Sequence, residues 1–256
     1  SDEMQGRHYR SIEARKAAKY IADAWKLAGL IPLPSTTSMY LPTDDPRDSP
    51  NVAAMYQGSG DTFVLLTAHY DHLKPRKTGK DRIYNGADDN ASGTAALIAI
   101  ADALSKIQTP LESSIVLVAF TGEEANFVGS KHFANNSPIP LRAIRGLINL
   151  DMISRGEPNT IFLEGAPDAP RINIAIVRAN KEVGLKIIRN KHTDWLYRSD
   201  QAPFLEKNVP CVFLSVEDHE DYHQVTDHTE KIIPELAAKT AQLAFLAAID
   251  LARPVP

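Results

Sequence analysis

Apolar residues recur at helical spacing from residue 11 to residue 30, with Ile12, Ala17, Ala18, Ile21, Ala22, Trp25 and Ala28 on one face. Gly29 suits the end of that helix, so the pattern predicts an amphipathic helix packed on a core. The next stretch, 31–50, holds Pro32, Pro34, Pro42, Pro46 and Pro50, which cannot serve a central strand and predict a loop or edge segment. Two strand-like runs follow at 51–56 and 62–68, joined by the turn Gly58-Ser59-Gly60-Asp61. Phe63-Val64-Leu65-Leu66 is apolar on both faces, as a central strand is, and the run ends in His69-Tyr70-Asp71-His72.

A helix over 94–106 leads to a second doubly buried strand, 114–120, which ends in Thr121-Gly122-Glu123-Glu124. A strand at 146–150 ends in Asp151. Further strands are predicted at 160–163, 185–188 and 209–216, and further helices at 171–183 and 234–251. The strand at 209–216 runs into Glu217-Asp218-His219-Glu220-Asp221-Tyr222-His223. No repeat or low-complexity segment interrupts this alternation, and the 256 residues are expected to form one α/β domain.

Composition narrows the classes of function. A net charge of −4 gives no broad basic surface, so nucleic acid is not an expected partner, and no apolar run is long enough to cross a bilayer. The single cysteine, Cys211, excludes an internal disulfide and belongs to an apolar run, where a thiol behaves as a small core residue.

The chemistry gathers at the ends of the buried strands. His69, the pair Glu123-Glu124 and Asp151 stand at three of them, and His223 lies in a loop after a fourth. Strand carboxyl ends are where sites form in an open α/β sheet. Before the helix at 94 lies Asn85-Gly86-Ala87-Asp88-Asp89-Asn90-Ala91-Ser92-Gly93. Its two carboxylates have two readings: a helix cap, which Asp favours, or an oxygen ligand that bridges two cations. With Asp89 included, the set is two histidines and three carboxylates, which suits two divalent ions, zinc above all, and leaves Glu123 free.

His69-Tyr70-Asp71, Gly86-Ala87-Asp88-Asp89-Asn90-Ala91-Ser92-Gly93, Glu123-Glu124, Leu150-Asp151 and Tyr222-His223 together resemble the co-catalytic di-zinc aminopeptidases, whose relatives include glutamate carboxypeptidase and glutaminyl cyclase. The resemblance implies a three-layer α/β/α sandwich around a central mixed, mostly parallel sheet. It makes Asp89 the bridging ligand, gives His69 and Asp151 to one zinc and Glu124 and His223 to the other, and makes Glu123 the general base. Asp71 would orient the His69 imidazole, Tyr222 would steady the oxyanion, and a cis peptide would join Asp89 to Asn90. The implied activity is hydrolysis of the first peptide bond of substrates with a free N-terminus. A glutaminyl cyclase is the alternative. Bacterial members of the family are commonly exported, which implies a secreted or periplasmic protein.

Two departures from the family pattern stand out. Asn126 replaces a frequent glycine and is followed by Phe127, and Gln201 stands where relatives often carry histidine, so Gln201 is given no metal role. His72, His132, His192, His219 and His228 fall outside the motif positions and are expected at the surface or in local hydrogen bonds. Residues 217–221 are expected to form a solvated acidic rim, and the basic loop 74–80 a flexible solvated one. Met152, Phe127, Trp195, Tyr197 and Phe204 suit either a pocket for the first substrate side chain or ordinary core.

Overall fold

The computed structural model describes residues 1–254. After an N-terminal 3-10 segment, Asp2–Arg7, comes α1 (Ile12–Leu27), whose first turn is capped by Ser11 accepting from the Ala14 amide at 3.0 Å. Ala14, Ala18, Ile21 and Trp25 form its buried face. The helix stops three residues earlier than its apolar pattern, and Gly29 takes a left-handed φ of 80° beyond the end.

The strands are β1 (Tyr40–Leu41), β2 (Asn51–Tyr56), β3 (Phe63–His69), β4 (Ser114–Phe120), β5 (Ile144–Leu150), β6 (Thr160–Glu164), β7 (Lys186–Arg189) and β8 (Cys211–Ser215). The remaining helices are α2 (Gly93–Leu104), α3 (Val128–Asn135), α4 (Pro170–Val183), α5 (Ala202–Leu205) and α6 (Pro234–Ala252). All eight strands form one sheet in the order β1-β2-β4-β3-β5-β8-β6-β7. β4, β3, β5 and β8 run parallel, while β2 and β6 join them antiparallel. The proline-rich stretch supplies β1, a two-residue edge strand.

Alternation along β3 builds the layers. Val64, Leu66 and Ala68 face a core shared with α1, α2, α4 and α6, whereas Phe63 and Leu65 face a second core with Phe133 of α3 and Phe204 of α5. Burying each such side chain contributes about 1.5–3 kcal/mol, which outweighs the weak helix propensity of the short α3 and α5. Cys211 lies inside the second core. The result is an α/β/α arrangement around a mixed, mostly parallel sheet.

The path from β3 to β4 crosses one face through α2, and the path from β4 to β5 crosses the other through α3 and passes over β3. Loops leaving the ends of β3 and its two neighbours therefore diverge to opposite faces and open a crevice at the carboxyl edge. His69 ends β3, Glu123-Glu124 follow β4 and Asp151 follows β5.

Candidate metal centre

Asp89 sits at the centre of the crevice, in the tight turn Ala87–Ser92 ahead of α2, and it is joined to Asn90 by a cis peptide. One of its oxygens, Oδ1, lies 3.3 Å from His69 Nε2, and the other, Oδ2, lies 3.2 Å from His223 Nε2. A terminal carboxylate completes each side. Asp151 Oδ1 is 3.2 Å from His69 Nε2, and Glu124 Oε2 is 3.1 Å from His223 Nε2. Glu123, Tyr222 and His223 line the same cleft with Asp89 and Asp151. The structure thus gathers all five residues expected as ligands, together with Glu123 and Tyr222.

The supporting contacts explain why the turn holds its shape. The Asp227 carboxylate accepts from the Asp88 and Asp89 amides at 3.0 and 3.1 Å. Asn90 Nδ2 donates to the Leu150 carbonyl at 2.9 Å, and Asn90 Oδ1 accepts from the Gly93 amide at 2.9 Å. Gly93 is required here, because a Cβ at that position would stand 2.3 Å from the Leu150 carbonyl oxygen. Neither Asp88 nor Asp89 caps α2. Asp88 instead accepts from the Ser154 amide and hydroxyl at 2.7 and 2.6 Å and meets His219 Nε2 at 3.1 Å.

Asp71 serves two partners. Its carboxylate accepts from the Glu123 amide at 3.2 Å and lies 3.6 Å from His69 Nδ1, while its carbonyl lies 3.1 Å from the same nitrogen. Fixing the far nitrogen of an imidazole in this way aims the near one into the cleft. The Tyr222 ring stacks on His223 at 4.0 Å. Arg7, from the first segment, donates to the carbonyls of Tyr70, Asn85 and Gly86 at 2.9, 2.7 and 3.2 Å and so joins the loops that carry Asp71 and Asp89.

Electrostatics mark the cluster as short of positive charge. Burial alone would lower the His69 pKa, but the carboxylates of Asp151, Asp71 and Asp89 hold it well above its ordinary value. The His223 imidazole is likewise raised, against its burial, to about 10 by Asp89 and Glu124. Burial pushes the Glu123 carboxyl well above its ordinary range. Burial would also raise Asp89, yet His72, His223 and His69 keep it well below. Asp89 Oδ2, though buried, receives no hydrogen bond. His69, Asp89 and Asp151 form one compact donor group, and His72, Asp89 and Glu124 form another that shares Asp89. Three imidazoles, His69, His72 and His223, and the carboxylates of Asp89, Glu124 and Asp151 gather here, a donor set that fits divalent metal.

Several expectations need correction. His72 is buried against Glu124 instead of lying at the surface, and His219 reaches Asp88 across 131 residues of sequence. His132, His192 and His228 are partly exposed and paired, as expected. Asp221 is no part of a solvated rim: it is buried and accepts from Arg155, Thr226 and Lys231, although Asp218 and Glu220 are exposed. Met152 and Trp195 line the cleft with Phe213 and Val216, whereas Phe204 belongs to the core and Tyr197 is exposed. Gln201 Oε1 accepts from Asn149, and its amide nitrogen donates to the Trp195 and Leu196 carbonyls, so its role is structural. The basic loop is exposed, with Arg76 bound to Tyr84 and Gln224. Asn126 and Phe127 both take left-handed φ values, 67° and 62°, the conformation that a glycine adopts most readily.

The sequence reading gives Arg7, Asp227 and Ser199 no role and places His72 at the surface or in local hydrogen bonds; Ser199 lies two residues before Gln201. Its hydroxyl donates to Asp151 Oδ2 at 2.7 Å.

Residues 51–248 match the model of peptidase family M28, and the chain belongs to that family. It is 28% identical over 237 residues to a probable zinc metalloprotease of Pyrenophora tritici-repentis, an alignment covering 78% of this chain and 46% of that one. The chain spans less than half the length of the curated relatives it matches, 37% and 46% for the first two. Among solved structures, the LapA aminopeptidase of Legionella pneumophila superposes with a TM-score of 0.82 at 18% identity, covering 100% of this chain and 70% of LapA. A glutaminyl cyclase of Porphyromonas gingivalis gives a TM-score of 0.76 at 19% identity, covering 96% of this chain and 92% of the cyclase. These two show the shared fold.

Proposed function

We propose that the chain is the catalytic domain of a di-zinc aminopeptidase. The observation that carries this reading is the division of Asp89, whose two oxygens face two different histidines, each with its own terminal carboxylate. His69, Asp89 and Asp151 would hold one zinc, and Asp89, Glu124 and His223 the other. When bound, the zinc pair supplies an activated water and polarises the scissile carbonyl.

The chain's own groups do the rest. Glu123 takes the proton of the attacking water and passes it to the departing amine, a role worth about 10²–10⁴-fold. Asp71 keeps Glu123 and His69 in register through its bonds to both. Tyr222 presents its hydroxyl to the oxyanion. Met152, Trp195, Phe213 and Val216 offer an apolar wall to the first side chain of the peptide, and the carboxylates of the cleft suit a free α-amine. The family resemblance supports a site of action outside the cytoplasm, which fractionation of the producing cell tests.

A second reading, a glutaminyl cyclase, is favoured by one observation: the fold superposes on that of a glutaminyl cyclase with a TM-score of 0.76. One experiment separates the two. Zinc per chain is counted, and a panel of aminoacyl-nitroanilides and a peptide with N-terminal glutamine are offered before and after chelation. Two zincs with chelator-sensitive release of the first residue support the aminopeptidase, and cyclisation alone overturns it. Glu123→Gln is expected to keep both metals and lose about 10²–10⁴-fold in turnover. Undiminished turnover in that variant removes Glu123 from the mechanism.

A further inference from the structure

His72 stands three residues beyond His69 on the loop leaving β3, with its side chain fully buried. Its Nδ1 is 2.7 Å from Glu124 Oε1 and 3.7 Å from Asp89 Oδ2, and its Nε2 has no hydrogen-bond partner. The ring is wedged against Gly86, where a Cβ would come within 2.6 Å of Cδ2 and 2.7 Å of Cγ. A ring held so tightly makes its contact in a fixed direction.

We propose that His72 is a positioning residue for the second metal: by donating its Nδ1 proton to Glu124 Oε1, it leaves Glu124 to present Oε2 alone to the ion shared with Asp89 and His223. The inference rests on the paired-zinc reading above. A carboxylate only accepts, so the contact requires a proton on His72 Nδ1, while Nε2 has no partner.

The other side of the cleft follows the same plan. Ser199 Oγ donates to Asp151 Oδ2 at 2.7 Å, and Asp151 Oδ1 is turned to His69 Nε2 at 3.2 Å. Each terminal carboxylate thus has one oxygen tied by a neighbour and the other facing an imidazole. His72 acting as a ligand instead would place four protein groups on the second metal, whereas a catalytic zinc keeps three and an open position. The shortest contact also goes to the carboxylate and not toward Asp89. A hydrogen-bond partner behind a metal ligand commonly changes metal affinity by about 10–100-fold.

The test is zinc affinity, read by competition with a chromophoric chelator, for the wild type and for His72→Ala, His72→Asn and His72→Gln, with His223→Ala alongside. The amide nitrogen of asparagine falls near the place of Nδ1, while that of glutamine falls near Nε2. His72→Ala is expected to bind two zincs at saturation, with one site weakened about 10–100-fold. His72→Asn should recover most of that loss, and His72→Gln should fill the space without recovering it. The Asn and Gln pair decides the matter even if the alanine variant fails to fold. In cobalt-loaded protein the visible bands should keep their intensity in all three variants, because the ligand count is unchanged.

Two results overturn the proposal. Saturation of His72→Ala at one metal, as expected for His223→Ala, makes His72 a ligand. Equal affinity in all three variants makes it mere packing. A wild-type chain that takes up fewer than two zincs removes the paired-zinc reading first, and this inference with it.

Discussion

Asp88 and Asp89 are neighbours in sequence with unrelated tasks. Asp89 points both oxygens into the cleft, while Asp88 binds Ser154 and His219 behind it. Composition could not tell them apart; the position of Asp89 before Asn-Ala-Ser-Gly did, through the family resemblance. His72, Arg7 and Asp227 were illegible for a physical reason: each acts through partners more than 50 residues away in sequence, and spacing records nothing of such pairs. Asp200 is another. It is wholly buried, neither oxygen has a hydrogen-bond partner, and burial raises its pKa from 3.8 to about 7. Because the folded protein binds this proton more tightly than the unfolded chain, stability falls as pH rises from about 4 to about 7. In metal-free protein, Asp200→Asn is expected to flatten that decline and to stabilise the fold above neutral pH by on the order of 1–4 kcal/mol. Urea melts across this range check it, and an unchanged pH slope refutes it.

Elements were more legible than contacts. Every strand of the parallel centre was visible because doubly buried strands are apolar along most of their length, as β3 and β4 are. The short α3 and α5 were missed, since a polar segment such as Val128–Asn135 offers little helical periodicity and is stabilised by Phe133 packing on Phe120 and Phe204. The start of α2 depends on one close approach. Gly93→Ala drives a methyl group into the Leu150 carbonyl and Asn90 Oδ1. It is expected to cost about 1–3 kcal/mol and to lower zinc retention, because Asn90 adjoins Asp89 in the turn. Thermal melts and metal analysis read both effects, and a variant with wild-type stability and zinc content sinks the argument.

At the level of the whole molecule, the donors of the cleft come from five separate places: the end of β3, the turn before α2, the loop after β4, the loop after β5 and the loop after β8. Metal bound there crosslinks the middle of the sheet at one edge. An ion at 100 times its dissociation constant stabilises the folded state by about 2.7 kcal/mol. For a chain of this length, chelation should then lower the melting temperature by roughly 5–10 °C, and zinc should restore it. Calorimetry that finds no change speaks against any metal at this site.

The same crevice has a tether in the 3-10 segment that precedes α1. Arg7 lies outside the sheet and the six α-helices, yet it clasps three carbonyls on the loops that flank Asp71 and Asp89. Trimming residues 1–7 removes no layer of the sandwich, so without metal the shortened protein is expected to melt close to the intact one while its zinc grip slackens, which calorimetry of the metal-free forms and chelator titration would reveal. Loss of the Arg7 clasp would then loosen the metal site while leaving the scaffold standing.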